Sequence, residues 1–397
     1  MIYTSANRDL NSILGTTPDE METKGRKSDR VLLVCVIMLM MFGSLAVYSS
    51  IAYFAEGHGT SAGSLVTGHI FKLAIAFFVM LIVSKIDYSR LAKFSRIAVI
   101  LSWILLFAVM IYGEMVFGAR RSLSIAGFSF QPSSMAAVAL IIHLSVLISN
   151  KQDYIKDFKR SFLPIMVWVS ITCFLIALED FSTAALLMGI SLFMMFVGRM
   201  SIMQLSTVVL IGLLGGTALV MSSEQRQSRV TQYVHQITEI NNTNFESAAG
   251  YQAQQAHIAV AQGKLFGVGV GKSTQRDFLP APYNDFIFAI IAEEYGMAGA
   301  FGVIIIFVVI LFRGFASIAR NARDLLGTLI AVGSTLMLTL YAFVNAAVAV
   351  GLFPVTGLPM PFVSYGGTSM LFAGLMVGLL MNISKHKRDG NKQFYIG

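Results

Sequence analysis

Long apolar runs separated by short polar connections dominate this 397-residue chain. Runs of spanning length fall at about Val31 to Phe54, Thr67 to Ile86, Ile97 to Tyr112, Ser133 to Ser149 and Phe162 to Leu178. Further runs cover about Thr183 to Val197, Leu205 to Met221, Asp285 to Phe312, Leu325 to Val350 and Thr368 to Ile383. A helix needs about 20 apolar residues to cross a bilayer, so the pattern predicts an all-α, polytopic membrane protein with about ten transmembrane helices. The first run is longer than a signal-peptide core and ends without a small-residue cleavage site, so it is read as a retained span. Residues 1–30 read as a mostly disordered leader, 31–384 as the transmembrane domain and 385–397 as a tail. One large polar connection, 222–284, separates the seventh and eighth spans.

Composition agrees with the pattern. The chain is 56% apolar and 13% charged, against roughly 25% charged in a soluble domain. A net charge of +8 would suit a nucleic-acid binder, but the basic residues form short clusters between spans rather than one face. They fall in the leader and in alternate connections, at Lys85 to Arg96, Lys151 to Arg160, Arg199, Arg313 to Arg323 and Lys385 to Lys392. The positive-inside rule puts those segments and both termini in the cytoplasm. Connections on the opposite side nevertheless carry Arg120 and Arg121, and Arg226, Arg229, Lys264, Lys272 and Arg276. Long loops translocate largely regardless of charge, and an anionic substrate would give basic groups outside a purpose. Cys35 and Cys173 lie within apolar runs, which argues for small hydrophobes rather than a disulfide or metal ligands.

Chemistry therefore has to sit at the membrane surface, and five stretches could carry it. Gly267-Val-Gly-Val-Gly271-Lys272-Ser273 imitates a phosphate loop, but Phe266 stands where the first glycine would be needed, so no nucleotide is expected. Its glycines suit a re-entrant loop that turns and packs closely. Arg120 and Arg121 could grip a phosphate, lipid headgroups or a neighbouring carboxylate. Glu179 and Asp180 could bind a cation or pair with arginines; more simply, Asp180 caps the helix that follows. Asp285 opens the eighth run, and an acid at a membrane span is costly enough to mark a functional site. It is also placed to act as an N-cap. On one helix it would lie about 12 Å from Glu293, too far for the paired carboxylates of a glycosidase. Glu293 and Glu294 are expected to pair within the bundle. The Pro- and Gly-rich stretch Gly351 to Ser369 suggests irregular backbone lining a cavity.

Three blocks, Gly118 to Ser133, Gly250 to Gly296 and Asn345 to Ser369, resemble the SEDS family of peptidoglycan polymerases. The specific strings are Leu279-Pro-x-x-x-x-Asp285-Phe-Ile-Phe-Ala-x-x-x-Glu293-Glu-x-Gly296 and Pro354-Val-Thr-Gly-Leu-Pro-x-Pro-Phe-x-Ser364-Tyr365-Gly-Gly-x-Ser369. The resemblance implies a multi-pass cytoplasmic (inner) membrane glycosyltransferase that joins lipid II units at the outer face, with Asp285 as the catalytic aspartate. It implies a divalent cation, magnesium or manganese, as the companion of Asp285, and substrate contacts from Arg120, Arg121, Gln131, Arg226, Arg229, Lys272, Ser364 and Tyr365. Its partners would be a class B penicillin-binding protein and other division proteins, with no nucleic acid. Lys27-Ser-Asp-Arg30-Val31 and Asn382-Ile-Ser384 look more like the division member than the elongation member. A lipid II flippase and a noncatalytic scaffold remain the alternatives.

The chain also departs from the family pattern. Ser122 stands where a Trp is usual, Ser134 and Ala137 where a Glu and a Lys are usual, and Tyr341 where a Gln is usual. The usual Pro-Asp-Leu-Gly-Thr is Glu179-Asp-Phe-Ser182-Thr. Loss of the Glu and Lys together removes both halves of an internal pair, which can be nearly neutral.

Overall fold

The computed structural model describes residues 28–57, 62–116, 119–125, 128–224, 227–228, 230–231, 233–234, 248–279 and 282–386. Arg226 and Arg229 lie outside them, as do most of the leader and tail. Among the described residues, eight helical spans are long and apolar enough to cross a membrane, and Phe181–Val197 and Ile202–Ala218 are shorter apolar stretches. The ten are α1 (Arg30–Gly57), α2 (Ala62–Val83), α4 (Ser95–Tyr112), α5 (Pro132–Asn150), α6 (Leu163–Ala177), α7 (Phe181–Val197), α8 (Ile202–Met221), α10 (Ile287–Phe312), α11 (Leu325–Ala349) and α12 (Thr368–Lys385). The short α3 (Tyr88–Lys93) joins α2 to α4, and α9 (Ala248–Gly263) lies within the large connection.

Burial explains the layout. Helices α5, α11 and α12 are apolar on most of their circumference and form the interior, each with about two-thirds or more of its span buried. The others surround them with one buried stripe and an apolar outer face, as lipid-facing helices must. Helix α8 touches α7 and turns most of its apolar surface outward, including Met203, Leu210 and Leu214. Asp180 caps α7, with Oδ1 accepting from the Thr183 backbone N–H at 3.1 Å and Oδ2 from its hydroxyl at 2.9 Å. The simpler of the readings given for that acid is the one found.

One part of the all-α expectation needs refinement. The block after α4 forms a small antiparallel meander of β1 (Glu114–Val116), β2 (Ala119–Ile125) and β3 (Phe128–Phe130), in the order β1-β2-β3. Its strands are too short to register against the surrounding apolar runs. Arg120 and Arg121 lie on β2, and their side chains are outside what the structure describes.

At the end of the bundle that the charge pattern assigns to the cytoplasm, the two terminal spans are tied together. The guanidinium of Arg313 pairs with the carboxylate of Asp29 at 2.5 and 3.0 Å, and the Asp29 backbone N–H donates to Ser384 Oγ at 3.0 Å. Asn382 accepts from the Tyr88 backbone N–H and donates to the Ser84 carbonyl. The segments around Asp29 and Ser384 thus meet in space.

Candidate active site

Asp285 does not start a helix. Residues 282–286 form a turn, and α10 begins at Ile287 with Phe286 at its N-cap position, so the N-cap alternative falls away. What fixes this turn is a set of donors from α11 and the Pro- and Gly-rich loop 351–367. Tyr365 N–H donates to the Tyr283 carbonyl at 2.7 Å, Ser364 Oγ to the Asn284 carbonyl at 2.7 Å and Asn345 Nδ2 to the Asp285 carbonyl at 2.9 Å. Three consecutive carbonyls are therefore held by three donors on another part of the chain. Asn345 also donates to the Leu358 carbonyl at 2.8 Å, which ties the loop to the same point.

Ser364 was expected among the substrate contacts. It is 1% exposed, and its hydroxyl both donates to Asn284 and accepts from the Met360 N–H, so its role is to hold the turn. Nearby Phe362 sits at φ 62° with its ring 2% exposed, a left-handed backbone costing about 1–2 kcal/mol that the surrounding packing enforces.

Tyr365 lies over the turn. Its ring meets Tyr283 edge-on at 5.4 Å and stacks on His69 at 5.5 Å. Burial, with smaller contributions from Tyr365 and Asp285, holds the Tyr283 phenol above its ordinary pKa. Gln131 precedes α5, and its backbone N–H donates to Thr368 Oγ1 at 2.9 Å. Phe130 packs against Phe372, so the meander sits beside the loop that holds Asp285.

A second device secures the far end of the turn. Helix α10 is broken at Gly296, which adopts φ 68° and ψ −170°. In an unbroken helix Met297 and Ala298 would donate to Glu293 and Glu294. Instead Met297 N–H donates to Lys264 O at 2.9 Å and Ala298 N–H to Leu265 O at 3.1 Å, while Glu293 O and Glu294 O accept from Val268 N–H and Gly269 N–H. The loop after α9 thus replaces the helix's own bonds at these four backbone groups. Gly267 and Gly296 permit it: a Cβ on Gly296 would come within 2.4 Å of Gly267 N, and one on Gly267 within 2.1 Å of Glu294 O. The imitation phosphate loop is a packing insert, as its glycines suggested.

Both acids beside the break face this insert. Glu293, fully buried, accepts from Ser273 Oγ at 2.5 Å, Thr274 N–H at 2.9 Å and Thr274 Oγ1 at 3.1 Å. Glu294 accepts from Ser49 Oγ on α1. Lys272 is exposed on the same insert. His257, on α9, packs against Gly351, and burial keeps its imidazole below the ordinary pKa.

No group of three or more His, Cys, Asp or Glu side chains that could hold a metal occurs among the described residues. Asp285 thus brings one carboxylate, with the adjacent carbonyls already engaged. That donor set suits a hard cation only if phosphate oxygens complete its shell, the usual habit of magnesium.

Sequence reasoning missed Asn345 as part of the site, although it noted the residue within a motif. It also missed Lys72, a lone cation inside an apolar run whose visibility lay in that isolation.

The architecture is that of a multi-pass membrane protein with a hydrogen-bonded, loop-built site holding one acid. Residues 29–389 match the family described as cell cycle protein, FtsW/RodA/SpoVE. The chain is 34% identical over 373 residues to stage V sporulation protein E of Bacillus subtilis, covering 93% of this chain and 100% of that one. It is 31% identical over 375 residues to the probable peptidoglycan glycosyltransferase FtsW of Geobacter sulfurreducens, covering 94% and 98%. Among solved structures it resembles a chain from a peptidoglycan synthase complex (TM-score 0.72, 22% identity, 90% and 97% covered). It also resembles Thermus thermophilus RodA (TM-score 0.65, 20% identity, 91% and 98% covered). The chain belongs to the FtsW/RodA/SpoVE family.

Proposed function

We propose that this chain is a peptidoglycan glycosyltransferase of the cytoplasmic membrane that polymerises lipid II at the outer face. The observation that carries the proposal is the pinned turn: an acid whose backbone is held by three donors from α11 and the Pro- and Gly-rich loop is preorganised for chemistry rather than capping a helix. Asp285 takes the proton of the acceptor 4-hydroxyl. The freed oxygen bonds to C1 of the donor sugar as the C1–O bond to the diphosphate breaks, and the undecaprenyl diphosphate leaves with the electron pair. Asp285 would hold a divalent cation jointly with diphosphate oxygens, and that ion would supply neutralising charge. Tyr365, which packs on Tyr283 of the turn, and Gln131, bonded to Thr368 just after the same loop, are candidates to border the sugar or diphosphate, and Arg120, Arg121, Arg226, Arg229 and Lys272 are candidates for the anionic part of the substrate.

A division role is favoured by the relatives named FtsW at about 31% identity. The partner is expected to be a class B penicillin-binding protein, in keeping with the synthase complex that shares the fold. Purified protein with that partner, given fluorescent lipid II, should yield glycan ladders that Asp285→Ala abolishes. Absence of ladders from folded, partner-bound wild type would sink the polymerase reading and leave a flippase or a scaffold. Depletion in cells should give filaments; rounded cells would assign it to elongation instead.

A further inference from the structure

Lys72 stands midway along α2, a 22-residue apolar helix. An unpaired cation at the centre of a span costs about 2.5–3.5 kcal/mol on insertion, so such residues mark ligand or ion sites unless something compensates them. No carboxylate among the described residues forms an ion pair with Lys72, whose Nζ lies 4.4 Å from the Tyr365 ring centroid and 3.3 Å from its hydroxyl. One turn earlier His69 is fully buried, stacks on the same ring, and has neither ring nitrogen hydrogen-bonded.

Tyr365 is also the residue whose N–H holds the Tyr283 carbonyl, two residues before Asp285. The ring thus joins a half-buried, uncompensated cation on α2 to the turn that bears the acid. A cation–π contact and one neutral hydrogen bond orient an ammonium without neutralising it. Through Tyr365, Lys72 is coupled to the turn that bears Asp285.

We propose that Lys72 binds the diphosphate of the lipid-linked donor and stabilises the charge it gains on departure, with Tyr365 and His69 as positioning residues. This inference rests on the polymerase reading for the identity of the ligand. The step it serves is the one already written: as C1–O breaks, the leaving diphosphate acquires one further negative charge, which the ammonium meets.

The test is equilibrium binding of undecaprenyl diphosphate to the full-length protein in detergent, with undecaprenol as the phosphate-free control. Lys72→Met should weaken diphosphate binding roughly tenfold or more, the scale of one charge-assisted hydrogen bond, and flatten its salt dependence. Lys72→Arg should retain most of the affinity, and undecaprenol binding should be the same in all three proteins. Should Lys72→Met fail to fold, Lys72→Gln takes its place with the same expectation. Equal diphosphate affinity in wild type and the neutral variant would overturn the proposal even if wild type polymerises lipid II. Lys72-dependent diphosphate binding by a wild type that makes no glycan would keep the site and reject the polymerase reading.

Discussion

Asn345 holds the Asp285 carbonyl at 2.9 Å from sixty residues away in the chain, and with the second hydrogen of the same amide it holds the Leu358 carbonyl at 2.8 Å. One buried side chain thereby fixes both the turn that carries the acid and the loop that carries Tyr365. Replacing Asn345 with Ala leaves both carbonyls without this donor, at a stability cost of about 1–3 kcal/mol. Because a displacement of about 1 Å can lower a rate by roughly 10²-fold, turnover should fall far more than substrate affinity. Measuring turnover and lipid II binding in parallel checks this; unchanged turnover in a folded variant would show that the amide does not position Asp285.

The exchange of backbone bonds at Gly296 makes that residue intolerant of a side chain. Gly296→Ala places a Cβ within 2.4 Å of Gly267 N and forces a non-glycine residue to φ 68°. The backbone term alone is about 1–3 kcal/mol. The apparent melting temperature in detergent should drop clearly. An alanine at exposed Gly302 on the same helix, where a Cβ meets nothing within 4 Å, should leave it nearly unchanged.

Glu293 concentrates the donors of the insert on one carboxylate. Glu293→Ala should release residues 264–277, read as faster amide exchange across that segment, while α11 exchanges as before. Glu293→Gln, which keeps acceptor capacity, should fall between the two. Equal exchange in all three proteins would remove Glu293 from the account of how the insert is held.

What was legible in the sequence follows from local physics. The eight candidate spans and the two shorter apolar helices were visible because apolar length is a property of contiguous residues. Asp180 as a cap and the glycines at 267 and 269 as packing positions were readable for the same reason. The helix break was hidden, because the bonds that α10 gives up at Gly296 are replaced by residues about thirty positions earlier. The start of α10 was misread by two residues, since Asp285 continues the apolar run in composition but is drawn into a turn by Asn345, Ser364 and Tyr365. The meander was hidden because two of its three strands, β1 and β3, are only three residues long.

His257 gives a dependence on pH. Burial lowers its folded-state pKa, so the folded protein resists a proton that the unfolded chain accepts near its ordinary value of about 6.5. Its contribution to stability is present above that pH and is lost as the pH falls below it. The apparent melting temperature of wild type should therefore decline more steeply below about pH 6.5 than that of His257→Gln. Parallel curves would show that the contact between α9 and Gly351 does not sense protonation.

The central claim is that Asp285 is the base of a glycan polymerase, and the most direct test is turnover of lipid II by wild type and by the isosteric Asp285→Asn, with lipid II binding measured on the same preparations. The expected result is affinity preserved within a few-fold and turnover lowered by roughly 10²- to 10⁴-fold, the range for removal of a general base. Turnover by Asp285→Asn at the wild-type rate would contradict the claim.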